Sequence, residues 1–146
     1  MSEQFRYDAF LSYSHRDLKW GKWLQDQLES WRIPAEVRKE TAFTRANLKI
    51  FRDQTDLAGV ELRDTIRQEL RASQCLIVLC SPNSAESPWV AEEIAYFKSL
   101  GREDRIIPFI IDGEPETDKA ELECYSVELR NVPDKHFLGA DVQELG

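Results

Sequence analysis

Histidine and sulfur are scarce in this chain: two histidines, His15 and His136, three cysteines and one methionine among 146 residues. Metal sites draw on such ligands in clusters, and Cys75, Cys80 and Cys124 follow no zinc-like spacing, so no metal is expected. An odd number of thiols, two of them inside one apolar run, argues for reduced cysteines and a cytoplasmic setting. No run approaches the ~18 apolar residues that a membrane-crossing helix needs. The opening MSEQFRYDAF lacks the basic-then-apolar layout of a secretion signal. Basic residues are outnumbered 19 to 27, for a net charge of −8. Such a chain is a poor nonspecific binder of nucleic acid or anionic membrane, and neither is expected as a direct partner.

Catalytic signatures are missing as well. No GxGxxG follows the first apolar run, so the dinucleotide fingerprint of the Rossmann type is not there. There is no GxxxxGK[ST] phosphate loop and no GxSxG elbow, and no Ser or Cys stands near a plausible His base. A phospho-receiver would need an Asp ending its third strand, where this chain has Cys80-Ser81-Pro82.

What is present is an alternation of strand and helix patterns. Residues 5–13 (FRYDAFLSY) read as a first strand whose continuous apolar centre suits burial on both faces. Residues 17–31 read as a helix, with Trp20, Leu24, Leu28 and Trp31 at helical spacing and Ser14 or Asp17 as its cap. Its tryptophans are read as packing rather than as a stacking platform. Residues 32–47 have no period and form a basic connection. Residues 48–51 make a short strand, 52–60 a loop rich in Asp, and 61–71 a helix with Leu62, Ile66 and Leu70 four apart. Residues 75–80 (CLIVLC) are a buried strand. Ser87 and Pro88 open a helix over 89–100, and Gly101 ends it. Residues 105–111 (RIIPFII) are a fourth strand, in which Pro108 favours an edge or a bulge. His136, Phe137 and Leu138 suggest a last short strand. The expected fold is α/β and flavodoxin-like, a doubly wound sheet of four to five parallel strands with helices on both faces. The pattern fits one domain over residues 1–146. It stops without the closing helix the alternation would supply, which suggests the N-terminal part of a longer multidomain protein.

In such sheets ligands bind where loops leave the C-terminal ends of strands. The polar residues there are Ser12 to Arg16, Arg52 and Asp53, and Ser81 and Asn83, joined by Glu93 from the helix that follows. A carboxylate flanked by Trp89 and Tyr96 can stabilise a developing positive charge, as glycosyl transfer requires. On pattern alone, Glu92 and Glu93 as a solvated helix face stays open.

The ordered set of motifs resembles a TIR (Toll/interleukin-1 receptor) domain of the bacterial type. YDAFLSYS at 7–14 matches that family's first-strand box. Arg52-Asp53 through Gly59-Val60-Glu61-Leu62 matches its long loop, and SPNS at 81–84 with WVAEEI at 89–94 the region of its catalytic glutamate. Ile107-Pro108-Phe109 matches its fourth strand, so the likeness covers residues 5–112. The resemblance implies cleavage of NAD⁺ at the nicotinamide–ribose bond, with Glu93, four residues after Trp89, as the catalytic group. It implies no cofactor, NAD⁺ being the substrate. Phe10, Ser12, Tyr13, Arg52, Asp53, Leu57 and Trp89 would then bind NAD⁺. It further implies activation by association with other TIR domains as a homo-oligomer, in bacterial anti-phage signalling. The alternative that the family offers is a noncatalytic scaffold or decoy acting through TIR–TIR binding.

Overall fold

The computed structural model describes residues 5–31, 47–52, 60–130 and 140–141; within them, the side chains of residues 60–63 and 140–141 are left undescribed. Five strands form one parallel sheet: β1 Tyr7–Ser12, β2 Ile50–Arg52, β3 Ser73–Cys80, β4 Ile106–Ile110 and β5 Ala140–Asp141. Their order is β2-β1-β3-β4-β5, with Phe10 registered between Phe51 and Leu76, and Leu11 between Arg52 and Ile77. This is the flavodoxin-like order, in which the chain crosses from β2 past β1 to β3 and reverses its direction across the sheet.

Strand periodicity divides the core in two. Phe10, Leu76, Val78 and Cys80 point to one face, where they meet Ile66 and Leu70 of α2 (Val60–Arg71) and Val90, Ile94 and Phe97 of α4 (Pro88–Ser99). Ala9, Leu11, Tyr13, Ile50, Ile77 and Leu79 point to the other, against Leu24 of α1 (Leu18–Ser30). Both faces of β1 and β3 are therefore apolar, which is why their sequences run without alternation.

Local chemistry sets the helix ends. Ser87 caps α4 by accepting from the Val90 amide at 3.3 Å, Pro88 takes the first turn, and Gly101 (φ +76°) follows its end. Ser14 caps a 3₁₀ turn, His15–Asp17, that leads into α1. Within α1, Trp20 and Trp23 meet edge to face at 5.4 Å and pack on the second core cluster, whereas Trp31 is exposed. A short helix, α3 (Pro82–Ala85), occupies the stretch that the sequence suggested was loop. Its reciprocal cap links Ser81 and Ser84, each side chain accepting from the other's backbone amide.

One expectation changes. Pro108 sits in an inner strand rather than at an edge, opposite Val78 of β3. Among the described residues, β5 pairs with Phe109 and Ile110, beyond the proline, so no described ladder partner on that side needs its missing N–H. The last strand falls at Ala140–Asp141; the expected strand over His136, Phe137 and Leu138, and the basic connection at 32–46, lie outside the described residues. After β4, Gly113 (φ +85°) turns the chain so that the Glu114 amide donates to the Leu122 carbonyl at 2.7 Å, and α5 (Val127–Arg130) closes the α4 side.

Candidate active site

Glu93 lies in the second turn of α4. The apolar stripe Val90, Ile94 and Phe97, all fully buried, anchors that helix to the sheet. Each such side chain contributes about 1.5–3 kcal/mol by leaving water, enough together to hold a carboxylate in a place it would not choose. Glu93 is only 5% exposed. One partner is Ser12, the last residue of β1, whose Oγ donates to Glu93 Oε1 at 2.9 Å. The pair therefore stands at the C-terminal end of β1, beside β3, at the point where the sheet changes direction.

Next to the pair, α2 and α4 leave a cleft with about 330 Å³ of unfilled space, part of it open to solvent. Trp89, Glu92, Glu93 and Tyr96 line it from α4, and Ile66, Arg67 and Leu70 from α2. The expected sharing of one helix side by Trp89, Glu93 and Tyr96 is seen here. The Arg67 guanidinium lies 5.5 Å from the Tyr96 ring, a cation over an aromatic face.

Not all the expected residues converge on this cleft. Phe10 is fully buried and packs on Phe51 at 5.1 Å, inside the core. Tyr13, one residue beyond Ser12, faces the α1 side instead. There its hydroxyl accepts from Arg52 Nη1 at 3.0 Å, while Arg52 Nε donates to Gln25 Oε1 at 2.8 Å. Ser12 and Glu93 thus occupy one face of the sheet, and Tyr13 and Arg52 the other. Asp53 and Leu57 lie outside the described residues.

Two groups of contacts were not foreseen. Asp17, considered only as a helix cap, makes no side-chain capping bond; its carboxylate accepts from Ser81 Oγ at 2.5 Å and from Asn83 Nδ2 at 3.0 Å. It ties the turn after β1 to the turn after β3, the two loops that flank the switch point. Gln25 also donates to the Ile50 carbonyl at 3.2 Å, and Glu29 accepts from the Ile50 amide at 3.0 Å. Those two α1 side chains, four residues apart, satisfy the outer edge of β2 as a neighbouring strand would. The i, i+4 spacing of polar residues on α1 carried the signal, but a helix facing a strand edge cannot be distinguished from one facing water in sequence alone.

The thiols offer no nucleophile. Burial raises the pKa of Cys75, and pushes that of the fully buried Cys80 well up, so both stay protonated. Among the described residues no group of three or more His, Cys, Asp or Glu side chains is arranged to hold a metal ion. What the arrangement can do is present a fixed carboxylate at the wall of an aromatic cleft, where positive charge developing on a ligand would be stabilised.

Comparison with known proteins adds the following. The sequence model for the TIR domain matches residues 9–141. The chain is 38% identical over 111 residues to a protein of Actinoplanes sp. named NAD(+) hydrolase ApTIR; the match covers 75% of this chain and 14% of that protein's length. Among solved structures, it is similar to the TIR domains of the activated Roq1 resistosome, which directly recognizes the pathogen effector XopQ. That likeness has 22% identity and a TM-score of 0.49, over 76% of this chain and 61% of the other.

Proposed function

This chain belongs to the TIR-domain family, and from that premise we propose that it cleaves NAD⁺ at the nicotinamide–ribosyl bond, with Glu93 as the catalytic carboxylate. The observation that carries this reading is the buried Ser12–Glu93 pair at the switch point, with Trp89 one turn ahead on the same cleft. The chemistry suits it. As the C1′–N bond breaks, its electron pair leaves with nicotinamide, neutralising the pyridinium, and positive charge passes to the ribose. A carboxylate there interacts more strongly with the transition state than with bound NAD⁺, which is the condition for catalysis. Water adding at C1′ gives ADP-ribose and releases a proton; a nucleophile within the same molecule gives a cyclic product with the same nicotinamide. The NAD(+) hydrolase name of the Actinoplanes relative supports the reaction class.

We further propose that association completes the site. Part of the cleft's roughly 330 Å³ is open solvent, and only about 30 Å³ admits the centre of a water-sized molecule, far below the about 300–1,000 Å³ of small-molecule sites, so most of a dinucleotide must rest on other surfaces. Self-association of TIR domains would supply them, as expected of a cytoplasmic NAD⁺-consuming switch in bacterial defence. The test is NAD⁺ consumption with chromatographic separation of products across a range of protein concentrations. Nicotinamide release that rises faster than linearly with protein supports both parts. Release strictly linear in protein would remove the association, and none at any concentration, even with the domain artificially clustered, would remove the activity.

A further inference from the structure

We propose that Ser12 is a positioning residue that acts on NAD⁺ only through Glu93, setting both where its carboxylate lies and the pH at which it takes a proton. This rests on the reading of Glu93 as the catalytic group. Three observations carry it. Ser12 is fully buried, so its hydroxyl offers a ligand no surface. Its Oγ donates to Glu93 Oε1 at 2.9 Å across 81 residues of sequence. Its place is fixed by the strand, since β1 pairs with β2 on one side and with β3 on the other, where Ser12 itself registers with Val78.

The consequence follows from the chemistry of the contact. A glutamate side chain has three rotatable bonds, and a donor fixed to a central strand removes much of that freedom at one carboxylate oxygen. A hydrogen bond to the ionised form also favours that form and lowers the pKa. Among the described residues, the other polar groups lining the cleft beside this carboxylate are Glu92, Trp89 and Tyr96 from α4 and Arg67 from α2. Arg67 favours ionisation and Glu92 opposes it, but both are exposed at the rim, where solvent weakens their effect. The buried Ser12 hydroxyl is a contact that solvent does not screen.

The experiment compares wild type, Ser12→Ala, Ser12→Cys and Ser12→Thr in two ways. The first is titration of ¹³C-carboxyl-labelled glutamate by NMR, with the Glu93 resonance identified by its loss in Glu93→Gln. The second is the pH profile of NAD⁺ cleavage. In Ser12→Ala the Glu93 titration is expected to rise by about one unit, since a hydrogen bond of ordinary strength corresponds to that shift. The acid limb of kcat/KM should rise with it. kcat should fall about 10- to 100-fold, the effect of a misplaced catalytic group, with KM changed less than about twofold. Ser12→Thr, which keeps the hydroxyl, should restore the titration; Ser12→Cys, of similar volume but a weak donor, should fall between. A Glu93 titration unmoved in a folded Ser12→Ala protein overturns the proposal; should that variant not fold, the same result in Ser12→Cys does so. An inactive wild type would sink the NAD⁺ reading, yet the NMR titration would still decide the role of Ser12.

Discussion

Replacing Glu93 by glutamine should make the protein more stable while stopping its chemistry. The carboxylate is 5% exposed, and holding an ionised carboxylate out of water costs several kcal/mol. The Ser12 hydrogen bond offsets part of that, about 1.5–3 kcal/mol for a charged acceptor. Glutamine has nearly the same shape, and its amide oxygen can still accept from Ser12 Oγ, retaining about 0.5–1.5 kcal/mol. At the Ser12 contact the loss is then roughly 1 kcal/mol, smaller than the desolvation saving, and a net gain of about 1–2 kcal/mol is expected. For a domain of this size that is a rise in Tm of about 3–6 °C. Removing the charge should at the same time lower kcat for NAD⁺ cleavage by about 10²–10³. Thermal unfolding at pH 7 of purified wild type and Glu93→Gln, followed by circular dichroism, measures the first effect. The combination is the signature of a group retained for function at a cost to stability. A Tm lowered by several degrees would refute the reasoning, because the carboxylate would then be a net structural support.

Three further outcomes are expected. Asp17→Ala removes the acceptor shared by Ser81 and Asn83 and should cost about 1.5–3 kcal/mol, read from the urea midpoint; a loss below about 0.5 kcal/mol would show that the two loops are held together by other means. Gly113→Ala should destabilise more than an ordinary glycine substitution. Its φ is +85° and an added Cβ would lie 2.3 Å from the Leu122 carbonyl oxygen, so a melting loss under ~1 kcal/mol would contradict the turn described. Tyr125, whose pKa burial pushes up to about 12, keeps its proton in the folded state after the unfolded chain has lost it. Its share of stability is present below about pH 10 and declines as pH rises toward 12. Tyr125→Phe should therefore flatten the alkaline part of the stability curve, as followed by denaturant unfolding between pH 9 and 12, and an unchanged slope would count against that assignment.

Much of the fold was legible in the chain because burial on both faces leaves an unmistakable trace. Residues 75–80 are apolar without interruption, since β3 lies at the centre of the sheet with clusters on each side. Helix α4 was legible from its cap, its opening proline and its closing glycine, and the family from the ordered motifs that these elements carry. The short α3 was hidden because four residues have no period, and only the Ser81–Ser84 spacing hinted at its cap. The site was harder. Ser12 and Tyr13 were both expected to bind NAD⁺, yet adjacent strand residues point to opposite faces, and which face looks toward Glu93 depends on α4 crossing the sheet 81 residues later. Asp17 was read as a local cap because local capping is the usual use of such a residue. Its actual partners, Ser81 and Asn83, are brought to it only by the pairing of β1 with β3.

The central claim is that the carboxylate of Glu93 drives loss of nicotinamide from NAD⁺. The most direct measurement is the initial rate of nicotinamide release by wild type and by Glu93→Ala, both folded, at equal and high protein concentration. The account predicts release by wild type and a fall of at least about 10²-fold in the variant. Release by Glu93→Ala at the wild-type rate would contradict it.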